Sequence, residues 1–102
     1  MIESESREGL LDIKVTTEKL DASNAESMKQ QFKELSLEGV TKARINLSQV
    51  DFLDSSGVGV LLSFYKTIQA RSVAVVLHQP TPSVLSVLEL LRLHRIFTIE
   101  ME

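Results

Sequence analysis

Short apolar runs with a two-residue period alternate along this chain with longer stretches of helical period, and that alternation most narrows the folds open to it. Ile13 and Val15 stand between Asp12 and Lys14, so Leu11 to Thr16 reads as a strand with one buried face. After Leu20-Asp21-Ala22-Ser23, the residues Ala25, Met28, Phe32 and Leu35 recur at helical spacing, with Asp21 or Ser23 as cap and an end near Gly39. Ala43, Ile45 and Leu47 alternate with Arg44 and Asn46 as the next strand, and Val50 to Leu53 leads into Asp54-Ser55-Ser56-Gly57. A second helix carries the stripe Val60, Leu61, Phe64, Tyr65 and Ile68, with Lys66, Gln69 and Arg71 toward water. Val73 to Leu77 is apolar throughout, the pattern of a central strand covered on both faces. Thr81-Pro82 then sets a cap before a proline at the first helical position, and Val84, Val87, Leu88 and Leu91 form the third stripe. Phe97, Ile99 and Met101 alternate with Thr98 and Glu100 as a closing strand, while Met1 to Arg7, turned back at Glu8-Gly9, adds an edge strand.

Helix-length crossovers return the chain to the same end of the sheet, so successive strands pair in parallel. The expected architecture is α/β: a mostly parallel sheet of four or five strands with three main helices packed on it. A chain of 102 residues has room for one core, hence a single domain over 1–102.

Charge and composition remove several classes of function. Eleven Lys+Arg against 14 Asp+Glu leave a net charge of -3, too acidic for binding driven by counterion release, so no nucleic-acid partner is expected. Without cysteine, site chemistry rests on oxygen and nitrogen. No apolar run approaches the roughly 20 residues that cross a bilayer. The acidic start, with Glu3, Glu5 and Glu8, is not that of a signal peptide, so the cytoplasm is expected and a membrane partner is not.

His78 and His94 have no paired spacing and the chain lacks Gly-x-Ser-x-Gly, so neither a catalytic residue, a metal site nor a cofactor is assigned. Gly57-Val58-Gly59 has the outline of a phosphate loop without its following Lys-Ser/Thr or a third glycine, and close approach by backbone or a partner surface explains it as well. Asp21, Asp51 and Asp54 could form a carboxylate pair for acid-base work. Two of them precede helices, however, where amide hydrogens keep a carboxylate ionised. Ser55 and Ser56 stand at a helix start, where free amides and the positive end of the dipole would accept a phosphoryl group. Plain N-capping is the other account of the same residues.

The run Val50-Asp51-Phe52-Leu53-Asp54-Ser55-Ser56-Gly57-Val58-Gly59-Val60-Leu61-Leu62 resembles the signature of the STAS family, specifically the bacterial anti-sigma factor antagonists. The resemblance covers nearly the whole chain. Leu20-Asp21 resembles the family's Gly-Glu-Leu-Asp turn, Asn46-Leu47-Ser48 precedes the signature, and Pro80, Pro82 and the Val84 to Leu91 helix resemble its closing segment. Glu18-Lys19 replaces the usual Gly-Glu, Arg71-Ser72 stands where a glycine pair is common, and Asn46 where Asp is frequent.

The resemblance implies a phosphorylation switch rather than a catalyst. Ser55 would be phosphorylated by a partner serine kinase of GHKL type, itself an anti-sigma factor, with Ser56 as the fallback site. A metal-dependent serine phosphatase would restore the hydroxyl. The unphosphorylated form would then capture the kinase and release its other client. The implied partner-binding face comprises Asp21, Ala22, Ser23, Asn24, Asp54, Ser55, Ser56, Gly57, Val58 and Gly59, on a monomer or weak dimer. A non-phosphorylated STAS adaptor of a transport or signalling assembly is the alternative. A nucleotide-binding module, resting on Gly-x-Gly alone, is a third.

Overall fold

In the computed structural model, which describes residues 1–102, the expected edge strand forms first: β1 (Ile2–Arg7) runs antiparallel to β2 (Leu10–Val15). The two residues of the turn, Glu8 and Gly9, have φ of 50° and 87°, the left-handed geometry that fits the twist of a tight hairpin. The chain continues through β3 (Lys19–Leu20), α1 (Ala25–Lys33), β4 (Lys42–Asn46), β5 (Phe52–Leu53), α2 (Ser55–Gln69), β6 (Ala74–His78), α3 (Pro82–Leu90), a 3-10 turn at Leu93–Arg95 and β7 (Thr98–Glu100).

Five strands make the main sheet in the order β1-β2-β4-β6-β7, and every pairing after the hairpin is parallel, as the helical crossovers require. Ile13, Ile45, Leu77 and Ile99 align across four strands into one apolar row. The rows on either side, Asp12-Arg44-Val76-Thr98 and Lys14-Asn46-His78-Glu100, point the other way. Only the first face is roofed by helices. Met28 and Phe32 of α1, Val60, Leu61, Phe64 and Ile68 of α2, and Val84 and Leu88 of α3 join it in one cluster of 25 buried residues. No polar side chain is buried with them.

The central strand therefore departs from expectation: β6 is covered by helices on one side only. Val76 on its outer side is nevertheless 5% exposed. Lys42 Nζ lies 3.3 Å from Glu100 Oε2, and since β4 and β7 flank β6, that ion pair spans the middle strand. Arg44, beside Val76 in register, donates to Asp12 Oδ1 at 2.7 Å and Oδ2 at 3.1 Å. The aliphatic stems of Lys42 and Arg44 supply the cover that a second helical layer was expected to give.

Other boundaries shift for local reasons. The first helix stops at Lys33 rather than near Gly39, and Leu35 and Leu37 pack against the core from the following turn. Its cap position is Asn24, neither Asp21 nor Ser23. At the C-terminus, Leu91 is 50% and Met101 55% exposed, so neither belongs to the buried stripe its spacing suggested.

Candidate functional site

Two residues of strand on each side assemble the site. Lys19 pairs with Phe52 and Leu20 with Leu53 in a small parallel ladder of β3 and β5, separate from the main sheet. Leu20 and Leu53 are buried and fix this ladder to the core, and the Asp51 amide donates to Glu18 O at 2.7 Å just before it. The Asp21-to-Asn24 turn leaves β3 where α2 leaves β5, so two segments about 30 residues apart in sequence lie side by side.

Asp54 fastens them together. Its backbone is extended at the N-cap of α2, its Oδ1 accepts from the Gly57 amide at 3.0 Å, and its Oδ2 accepts from the Ala22 amide at 3.3 Å. One carboxylate thus both caps α2 and ties the Asp21–Asn24 turn to it. Opposite it, Asp21 Oδ1 accepts from the Ser23 amide at 3.0 Å and the Ser23 hydroxyl at 2.5 Å. Those hydrogen bonds hold the Asp21 carboxyl below its ordinary range, with a smaller contribution from Lys19. Asn24 closes the turn, accepting from the Asp21 amide at 3.1 Å and donating to Lys19 O at 2.7 Å, and its side chain makes no cap bond to α1.

Gly57 and Gly59 have different tasks. A Cβ on Gly57 would run into the Leu20 carbonyl oxygen and stand 2.7 Å from Leu53 Cδ1, so this residue lets α2 start against β3. A Cβ on Gly59 would meet nothing within 4 Å, which leaves a shallow space at the surface. Val58, between them, is 7% exposed and belongs to the core, so it supports the face without presenting a side chain to it.

Ser55 is exposed at the first helical position and Ser56, next to it, is half-buried. Their amides have no acceptor within the helix, so the Ser55 hydroxyl stands beside free donors at the positive end of the dipole. An anion attached there would be solvated and supported. Phe52, 49% exposed beside Asp51, belongs to the same surface and was not singled out from the sequence. The period of two could have revealed it, since burying Leu53 turns Phe52 outward.

A family profile described as STAS domain matches residues 1–102, and the chain belongs to that family. Among solved structures it is similar to a candidate anti-sigma factor antagonist from Thermotoga maritima, with 27% identity over 97% of this chain and 85% of that one and a TM-score of 0.82. It is also similar to the anti-sigma factor antagonist SpoIIAA in its unphosphorylated form, at 23% identity over 100% of this chain and 90% of that one, TM-score 0.79. The phosphorylated form of SpoIIAA, from Bacillus, superposes with a TM-score of 0.71. A sulfate transporter family protein from Wolinella succinogenes shares the fold at 12% identity, over 92% of this chain and 78% of that one, TM-score 0.78.

Proposed function

We propose that this chain is an anti-sigma factor antagonist that works by partner switching. Its unphosphorylated form docks a serine-kinase anti-sigma factor of GHKL type through the Asp21–Asn24 turn and the first turns of α2. The kinase then modifies Ser55, and a metal-dependent serine phosphatase reverses the mark. The observation that carries the proposal is the exposed Ser55 hydroxyl at the first position of α2, on a face tied to the Asp21–Asn24 turn by Asp54. The likeness to SpoIIAA, known with and without phosphate, supports it.

The physical mechanism is local. A phosphate brings roughly −1.5 to −2 charges. At Ser55 these add to Asp21, Asp51 and Asp54 on a face that must be desolvated when a partner binds. Water and the helix terminus accommodate the group in the free protein, so the fold persists while docking is lost. Ser56, half-buried one position on, is the less accessible hydroxyl.

Incubation with the kinase and ATP followed by peptide mass spectrometry is expected to place the phosphate on Ser55. Ser55→Asp is expected to weaken kinase binding by about 30-fold or more, the scale of an unpaired charge at an interface, while Ser55→Ala binds as wild type and cannot be modified. Equal kinase binding by both variants would overturn the proposal. A STAS adaptor that never carries phosphate remains the second reading, and it predicts no transfer to either serine.

A further inference from the structure

Three of the six exposed large apolar side chains fall within seven residues at the end of α3: Leu90 is 81% exposed, Leu91 50% and Ile96 44%. Arg92, His94 and Arg95 are exposed among them. Arg7 and Arg44 are paired with Glu5 and Asp12, whereas Arg92 and Arg95 have no acidic partner within ion-pair distance. Only Leu93 turns inward, at 4% exposure, and the left-handed backbone of Arg92, φ 59°, makes the sharp bend that leaves its neighbours outside. Scattered exposed aliphatics are ordinary, but a cluster rimmed by free cations marks a docking surface.

Charge and shape decide among occupants. A second copy would bring two arginines from each chain into one small symmetric contact, an excess of like charge that the adjacent Glu89 offsets only in part. A partner helix needs a groove, and of this patch only Ile96, at its edge, lines a surface cleft, shared with Tyr65 and Val75, whereas Leu90, Leu91, Arg92, His94 and Arg95 line none. A flat anionic surface needs neither symmetry nor a groove. We propose that residues 90–96 dock the domain peripherally on an anionic lipid bilayer, with the aliphatic tips in the interfacial layer and the arginines at headgroup phosphates.

The placement suits that orientation. Thr81, at the start of α3, donates to Val50 O at 2.7 Å in the segment that leads through β5 to Ser55, and nine helical residues place the patch about 13 Å from Thr81 along the helix. The acidic face of Asp21, Asp51 and Asp54 can then stay clear of the lipid. With a net charge of -3 on the whole chain and Glu89 adjacent to the patch, association is weak and salt-sensitive. This is contact with a surface, distinct from the membrane-spanning segment the sequence lacks.

The test is co-sedimentation of the full chain with vesicles of phosphatidylcholine and phosphatidylglycerol at low salt, compared with phosphatidylcholine alone. Binding should be at least about tenfold stronger on the anionic vesicles and fall about fivefold for each of Arg92→Gln and Arg95→Gln. Leu90→Ser with Leu91→Ser should remove most of it while lowering the melting temperature only slightly, since Leu90 is mostly and Leu91 half exposed. No binding at several millimolar lipid, equal binding to neutral vesicles, or full binding by the double serine variant would overturn the proposal. So would a concentration-dependent dimer dissolved by the same variant, which assigns the patch to a second copy.

Discussion

What an added methyl group would meet distinguishes the two glycines of Gly57-Val58-Gly59. Gly57→Ala drives a Cβ into the Leu20 carbonyl, a backbone atom that a side-chain rotation cannot move aside. Its expected destabilisation is about 1–3 kcal/mol, the usual range for overpacking, read as a lower midpoint in urea. Gly59→Ala meets open space in a helix and should stabilise by about 0.5–1 kcal/mol. If Gly59 lies under a docked partner, the same variant binds the kinase more weakly although it is more stable. Opposite signs for stability and binding separate a recognition role from a folding role. Both glycines were visible in the sequence as a close-approach feature. Which of them faces the chain's own backbone depends on where β3 lies, and that is not encoded within the motif.

At the scale of elements, side chains at helix starts do more than cap. Thr81 Oγ1 accepts from the Val84 amide at 3.4 Å and donates to Val50 O at 2.7 Å, so it joins α3 to the segment entering β5. Thr81→Ala should cost about 1–2 kcal/mol, at the upper end for a cap because a second hydrogen bond is lost. Asp54→Ala should cost a similar amount for the same reason, and it should also loosen the Ala22 tether, measurable as faster amide exchange at Ala22. The capping role of Asp54 and Thr81 was legible because each directly precedes a helical stripe. Their tertiary halves, to Ala22 and Val50, span 32 and 31 residues and leave no local trace. The β3–β5 ladder escaped notice similarly, since two residues are too few to establish a period. The end of α1 was overestimated because Leu35 continues the helical spacing, although it packs from a turn.

For the whole molecule, the outer face of the sheet joins Asp21 in shaping the acid limb of stability. The hydrogen bond from Arg44 holds the Asp12 carboxyl below its ordinary range, more than offsetting partial desolvation. Burial pushes Glu100 up, but Lys42 and His78 together outweigh it and the net shift is downward. A carboxylate whose folded pKa is depressed contributes stability that is fully present above its unfolded value, about 3.9 for Asp and 4.3 for Glu. That contribution is lost as pH falls through the folded value, because the unfolded chain takes up protons first. Denaturation midpoints should therefore decline below about pH 4, and Asp12→Asn should flatten part of that decline while lowering stability modestly at neutral pH, since the pair is partly exposed.

What the sequence by itself determined is what depends on neighbours along the chain: the alternation that makes the sheet parallel, the cap before each of the last two helices, and a hydroxyl pair at a helix start. Periodicity and capping act over three or four residues, so they can be read without knowing the fold. Tertiary structure alone decided that β6 is roofed on one side and shielded on the other by ion pairs, and that Ser55 is exposed while Ser56 is half-buried. It also decided that Asp54 reaches across to Ala22. Each of these depends on which surfaces meet after the chain closes on its core, and hydrophobic burial, being non-directional, fixes that only for the assembled whole.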